Sequence, residues 1–138
     1  MMEPASGALI SKILDCAAFA VVGASRDPNK YGHLVYKSLK QAGYTTYAVN
    51  PTADEIDGDP AYPSLDSIPG PIDCVVCVVP PMATEAAVRD AGRLRMPYMW
   101  MQTGAESEAA VNAAQAVGIR AVHSGPCIMV AIAARRKR

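Results

Sequence analysis

Between Val22 and Leu34 the chain gathers small, hydroxyl and cationic residues in one run, Gly23-Ala24-Ser25-Arg26-Asp27-Pro28-Asn29-Lys30-Tyr31-Gly32-His33. Gly23 lets backbone come close to a ligand, Ser25 offers a hydroxyl, and Arg26 and Lys30 bring local positive charge. A helix opening near Gly32–Leu34 would aim its free N–H groups and positive dipole end at the same place. This is the chemistry of anion binding, and of phosphate binding in particular. An ordinary strand-to-helix turn, using glycine for geometry alone, would need the same glycine. His33, just inside the helix start, is placed to bond a phosphate. The run matches neither G-x-G-x-x-G nor G-x-x-x-x-G-K-[ST].

The four cysteines are Cys16, Cys74, Cys77 and Cys127. Cys74-Val-Val-Cys77 has redox or zinc spacing, but on a strand positions i and i+3 face opposite sides, so the two thiols cannot share a metal. We expect both, and Cys16, to be core residues. Cys127 follows Ser124-Gly125-Pro126 beyond the last strand. At the head of a helix its thiolate would be favoured, although a small apolar filler is the competing reading. His33 and His123 are the two histidines. Neither has a carboxylate or metal partner visible in sequence, and no catalytic or metal-ligating set emerges.

Short apolar runs alternate with helical periodicity, the mark of a parallel α/β sheet. Strands are expected at Phe19–Gly23, Tyr44–Val49, Ile72–Val79, Tyr98–Gln102 and Ile119–His123. Helices are expected at Ala8–Ala17, Leu34–Ala42, Thr84–Leu94 and Glu106–Val117, with Cys127–Ala134 a last turn or two. Val35, Leu39 and Ala42, then Ala87, Val88, Ala91 and Leu94, then Ala110, Ala113, Ala114 and Val117 form the inward stripes. Residues 52–71 hold five acids with glycine and proline breaks, and read as a long surface connection with a helical turn at Ser64–Ile68. The expectation is a single doubly wound, parallel five-stranded sheet in the order 3-2-1-4-5. Its ligand side is formed by the strand ends: the Gly23 loop, Asn50-Pro51, Val79-Pro80, Gln102-Thr103-Gly104 and His123–Cys127.

The chain has 138 residues, 51% of them hydrophobic and 19% charged, enough for one cored domain (1–134) with a basic tail (135–138). Thirteen cations balance thirteen acids, but removing the four basic residues 135–138 leaves nine against thirteen, a net −4. An acidic body argues against a nucleic-acid surface, and the tail reads as a frayed, solvated end. No apolar run approaches the roughly 20 residues of a membrane span. Met1–Pro4 lacks the order of a signal peptide, and unpaired thiols suit a cytoplasmic setting. Where NAD binders place an acid at the end of strand 2, this chain has Val49-Asn50-Pro51. That disfavours NAD(H), and it is compatible with a ligand carrying a ribose phosphate, which a carboxylate there would repel.

Val21–Gly32, Ala48-Val-Asn-Pro51, Tyr62-Pro-Ser-Leu65, Ile72-Asp73 with Val79-Pro80, Trp100-Met-Gln-Thr-Gly104 and Cys127 together resemble the stand-alone CoA-binding domain proteins. These are similar to the N-terminal domain of the succinyl-CoA synthetase α subunit. The resemblance spans about Ile13 to Ile128 and implies a Rossmann-like fold binding coenzyme A or an acyl-CoA without catalysis. It would set Gly23, Ala24, Ser25, Arg26 and Lys30 by the pyrophosphate and Asn50 and Pro51 by the adenosine. Val79, Pro80, Gln102 and Gly104 would line the rest, with Tyr31 and His33 flanking the phosphate loop. The synthetases carry a lysine shortly after the strand-2 proline, where this chain has Thr52-Ala53-Asp54. Their second domain, with its phosphorylated histidine, has no counterpart. Cys127 matches the cysteine that closes the pattern, which would put it within reach of the CoA thiol as a redox-responsive group. An NAD(H) oxidoreductase or redox sensor, and a CoA-binding subunit of a larger synthetase, are the alternatives. A homo-oligomer and a synthetase partner are both compatible with the sequence.

Overall fold

The computed structural model describes residues 6–136, with the backbone alone for Arg136. Its elements run α1 (Gly7–Leu14), β1 (Ala18–Val22), α2 (Tyr31–Gln41), β2 (Thr45–Val49), β3 (Glu55–Ile56), β4 (Asp59–Tyr62), β5 (Cys74–Cys77), α3 (Pro81–Arg93), β6 (Tyr98–Met101), α4 (Glu108–Ala116), β7 (Arg120–Val122) and α5 (Ile128–Arg136). A single 3-10 turn, Leu65–Ser67, lies in the connection between β4 and β5.

The strands form one sheet in the order β3-β4-β2-β1-β5-β6-β7, parallel throughout except for the β3–β4 pair. Alternate residues of each strand serve opposite faces. Phe19, Val21, Cys74 and Val76 pack with α1, α2 and α5, while Ala20, Val75 and Cys77 pack with α3 and α4. The doubly wound expectation therefore holds, and Cys74 and Cys77, both fully buried, lie in different layers. Cys16 differs from its expectation, being only partly buried at the end of α1.

The strand count and order need correction. Residues 52–71 are not merely a surface connection: they add β3 and β4, and they bury Ala53, Ile56 and Leu65. Counting parallel strands alone, β4 takes the third place, so the sheet reads 3-2-1-4-5-6. The apolar Ile72–Val79 segment, expected outside strand 2, instead pairs with β1 on its other side, Phe19 with Cys74 through Val22 with Cys77. Two signals explain why β4 stayed hidden. Its sequence, Asp-Pro-Ala-Tyr, carries poor strand formers, and it pairs with β2 over only Ala48–Ala61 and Val49–Tyr62. Proline is tolerated there because the strand is short and near the sheet edge. The turn of the hairpin is Asp57-Gly58, both at positive φ (53° and 82°), a two-residue link that Asp-Gly favours strongly.

Helix boundaries follow local chemistry. Ser6 and Ser107 cap α1 and α4 by accepting from Leu9 and Ala110 N–H groups. Pro81 occupies the first position of α3, where its missing N–H costs nothing. Two expected inward residues face solvent instead: Leu94 is 36% and Val117 49% exposed, because each sits at a helix end where the chain turns away. Arg135 and Arg136 belong to α5 rather than a frayed tail, and the Arg135 guanidinium bridges to Asp15 and the Ser11 carbonyl. Lys137, Arg138 and the Met1–Pro4 segment lie outside the described residues. No described helix is long and apolar enough to cross a membrane.

Candidate functional site

Because the six principal strands are parallel, their carboxyl ends open on one side, and the chain reverses at β1 with β2 to one side and β5 to the other. Ligands of open α/β sheets bind at such a point. Gly23 ends β1 at φ 100°, and a Cβ there would lie 2.2 Å from the Val78 carbonyl oxygen. Gly32 is closer still to its neighbour: its Cβ would stand 1.9 Å from the Gly23 oxygen. Only glycines let the loop fold so tightly against the start of α2.

The loop is held from behind. Asn50 donates from Nδ2 to the Ala24 carbonyl (2.9 Å), while its Oδ1 accepts from the N–H groups of Thr52 and Ala53 and from the Thr52 hydroxyl. His33 meets the Ser25 carbonyl through Nδ1 at 2.8 Å and the Asp57 carboxylate through Nε2 at 3.2 Å. Ser25 Oγ accepts from Asp27 N–H, and Asp27 from Asn29 N–H. With the carbonyls of Ala24 and Ser25 engaged, the N–H groups of Ala24, Ser25 and Arg26 meet no protein acceptor among the described residues. Ala24 is 1% exposed, so its N–H is a buried donor without a partner. The first N–H groups of α2, on Tyr31 and Gly32, are likewise free. Arg26 and Lys30 are exposed beside them, and neither has a carboxylate within 4.0 Å among the described residues.

Two clefts flank this loop. One, of about 260 Å³, is largely apolar and lies between Gly23, Pro51, Leu65 and α3 at Ala83 and Ala87. The other, of about 510 Å³, runs along Tyr31, Val79, Pro80 and Gly104. Val79 borders both, so the two lie side by side along a path across the strand ends, with that side chain between them.

At the far end of that path stands a polar cluster that sequence reading only partly assembled. The Tyr31 hydroxyl donates to Cys127 Sγ at 2.7 Å, and Gln102 Nε2 donates to the same sulfur at 3.1 Å. Gln102, 1% exposed, accepts at Oε1 from Ile128 N–H at 2.8 Å, which fixes its amide with the NH2 toward the sulfur. Cys127 directly precedes the first residue of α5. Burial pushes its thiol up, but the hydrogen bonds from Tyr31, Gln102 and the N–H groups of Met129 and Val130 outweigh that and hold it below the ordinary value. Tyr31 keeps its proton correspondingly: its hydrogen bond to Cys127, with burial, pushes the phenol up to about 12. Trp100 Nε1 donates to the Pro126 carbonyl, fixing the residue before Cys127.

The structure thus brings together the Gly23–Tyr31 loop, Pro51, Val79, Pro80 and Gly104 along the clefts, with Gln102 and Cys127 behind Tyr31. Asn50 and His33 stand apart from the expected pattern. Their polar atoms are committed to holding the loop and the hairpin, so neither His33 nitrogen is free for a phosphate. His123 is a buried, hydrogen-bonded side chain next to Ser124, as expected. Sequence reading missed Leu65 and Ala83 as cleft residues, although Leu65 closes the Tyr62-Pro-Ser-Leu65 run that carries the resemblance; no motif marks Ala83. It also missed the partnership of Tyr31 with Cys127, separated by 96 residues. Among the described residues, no group of three or more His, Cys, Asp or Glu could hold a metal.

Residues 17–133 match the model of a family described as "CoA binding domain". The chain belongs to that family. The Bacillus subtilis (strain 168) protein YneT, uncharacterized, is 38% identical over 136 residues, covering 94% of this chain and 96% of its own. A solved hypothetical protein from Pyrococcus horikoshii OT3 superposes with a TM-score of 0.87 at 30% identity, over 95% of this chain and 94% of that one. The ADP-forming acetate–CoA ligase I of Archaeoglobus fulgidus is 43% identical over 74 residues, which are 54% of this chain but only 11% of the ligase. This CoA-binding domain is therefore related to a domain of acetate–CoA ligases, and the fold is the Rossmann-like one that the resemblance implied.

Proposed function

We propose that the protein binds coenzyme A or an acyl-CoA as a small module without catalysis of its own. The observation carrying this reading is the buried, unpartnered N–H of Ala24, set among the free N–H groups of Ser25, Arg26, Tyr31 and Gly32 and between Arg26 and Lys30. Donors of that kind fit a pyrophosphate. The apolar cleft by Pro51 and Leu65 suits an adenine, and the path along Val79, Pro80 and Gly104 suits a pantetheine arm ending near Tyr31 and Cys127. NAD(H) is supported less well, since the β2 end offers no carboxylate to its ribose and the Asn50 side chain is already committed.

The cluster around Cys127 favours a thiol-responsive role. The Cys127 thiolate would attack a sulfur of CoA disulfide, forming a Cys127–CoA mixed disulfide and releasing one CoA thiolate, with no further oxidant. Mass spectrometry after incubation with CoA disulfide should find the adduct on Cys127 and none in Cys127→Ser. An unmodified Cys127 removes this role.

Calorimetry against CoA, NADH and ATP tests the binding itself. CoA should bind and weaken with salt, and Arg26→Glu or Lys30→Glu should lower its affinity more than deletion of residues 135–138 does. Micromolar NADH binding without CoA binding overturns the reading. So does a tail deletion that abolishes binding while the two reversals leave it intact. The acetate–CoA ligases supply the second reading, a subunit lending its CoA site to a larger synthetase. Co-purification with such a partner would favour it.

A further inference from the structure

The site is electrically lopsided. Between Lys40 and Arg89 the sequence contains no lysine or arginine, yet it holds seven acids: Asp54, Glu55, Asp57, Asp59, Asp66, Asp73 and Glu85. This stretch supplies the end of β2, the β3–β4 hairpin and one wall of the apolar cleft. In sheets of this topology the adenosine ribose lies at the end of the second strand. Here that end is Asn50-Pro51-Thr52. The Asn50 amide donates to the Ala24 carbonyl and accepts from the N–H groups of Thr52 and Ala53, and the Thr52 hydroxyl donates to Asn50. The charged side chain lining the cleft is Asp90. The guanidinium beside it, that of Arg93, bonds Asp90 at 3.1 Å and Asp66 through both oxygens at 2.7 and 3.0 Å. One cation shared by two carboxylates leaves this wall of the cleft net negative.

Coenzyme A carries two phosphate groups of different kinds. Its pyrophosphate would meet Arg26, Lys30 and the free N–H groups. Its ribose 3′-phosphate, about −1.5 to −2 at neutral pH, would fall on the side where carboxylates outnumber cations. We infer that the site does not recognise the ribose phosphate: its ligand class is the pantetheine-bearing ADP unit common to CoA and dephospho-CoA, and the 3′-phosphate contributes no affinity. This rests on the CoA reading above. The absence of an acid at the β2 end removes one repulsion without adding an attraction, while Asp54 and Glu55 are exposed close by in sequence.

Calorimetry of the full chain with CoA and with dephospho-CoA, each at low and moderate salt, tests this. The two dissociation constants should agree within about threefold. CoA should show no steeper a salt dependence than dephospho-CoA, because only the pyrophosphate is met by cations. Thr52→Lys, which places a cation at an exposed position beside the ribose, should tighten CoA relative to dephospho-CoA by about fivefold or more. CoA binding more than about tenfold tighter than dephospho-CoA, or with a steeper salt dependence, overturns the inference and leaves the CoA reading standing. A Thr52→Lys protein that gains nothing for CoA over dephospho-CoA overturns the placement of the ribose. If neither ligand binds, the CoA reading fails and this inference falls with it.

Discussion

Replacing Gly23 with alanine should injure both the fold and the site, by an amount the geometry separates into parts. The first part is conformational: at φ 100° an L-residue sits outside its favoured regions, at a cost of about 1–2 kcal/mol. The second is steric. The new Cβ would lie 2.2 Å from the Val78 oxygen and 2.8 Å from Val79 Cγ1. Backbone cannot swing aside as a side-chain tip can, so restoring ordinary contact means parting the ends of β1 and β5. That strains the Val78 N–H bond to the Val22 carbonyl, 2.9 Å long, worth about 1 kcal/mol net. Overpacking of this kind adds about 1–3 kcal/mol. The sum, about 3–6 kcal/mol, is a large fraction of the 5–15 kcal/mol that holds a typical domain together. Gly43 supplies the control. Its φ is 96°, nearly the same, but nothing lies within 4 Å of its Cβ position. Gly43→Ala should therefore show the conformational part alone, about 1–2 kcal/mol. Urea denaturation followed by far-UV circular dichroism measures both. If Gly23→Ala costs no more than Gly43→Ala, the close approach of the two strand ends is not what requires glycine, and the argument for the loop's tight seat is refuted.

Four further outcomes follow from other contacts. The alkylation rate of Cys127 against pH should reach half its plateau below the ordinary thiol value, and Tyr31→Phe should raise that midpoint, since the phenol's hydrogen bond favours the thiolate; an unchanged profile would show that the phenol does not hold the thiolate. Because the folded thiol lies low, the thiolate's stabilisation is present above the unfolded thiol pKa and fades as pH falls through the folded value. Cys127→Ser should accordingly cost more stability at alkaline pH than at pH 6, and an equal cost at both counts against the shift. Asn50→Ala, which frees the Ala24 carbonyl, should lose about 1–3 kcal/mol and weaken CoA binding beyond what stability alone explains; retained affinity in calorimetry would show that the loop keeps its shape unaided. Asp73→Ala removes a carboxylate that accepts from the N–H groups of Ala17 and Ala18 at the amino ends of β1 and β5, opposite the site, so thermal unfolding should shift down while CoA affinity stays the same.

The difference between what the sequence disclosed and what it hid is physical. Strands covered on both faces announce themselves by composition: Cys-Val-Val-Cys and Tyr-Met-Trp-Met are apolar because both layers of helices press on them. The Gly23 loop was legible for a related reason, since its close approaches exclude all residues but glycine. The β3–β4 hairpin was not, because its strands make few pairs and carry a proline and two acids. The Asp57-Gly58 turn was the one local signal there. Long-range polar partners left no trace in spacing. His33 sits where a helix start meets phosphate in many sheets, and only the position of Asp57, brought back by that unread hairpin, shows its nitrogens to be taken. Tyr31, Gln102 and Cys127 come from three loops whose meeting depends on the strand order, which the sequence pattern misassigned by one place.

Trp100, the one tryptophan in the chain, is fully buried and tied through its indole N–H to the carbonyl of Pro126. The molecule thus carries its own optical probe one residue from Cys127. Any event at the sulfur that moves the head of α5 must pass through that peptide and alter the indole's surroundings. Occupancy of the thiol end can be followed by intrinsic emission in unlabelled protein, at concentrations where no dye or isotope is needed.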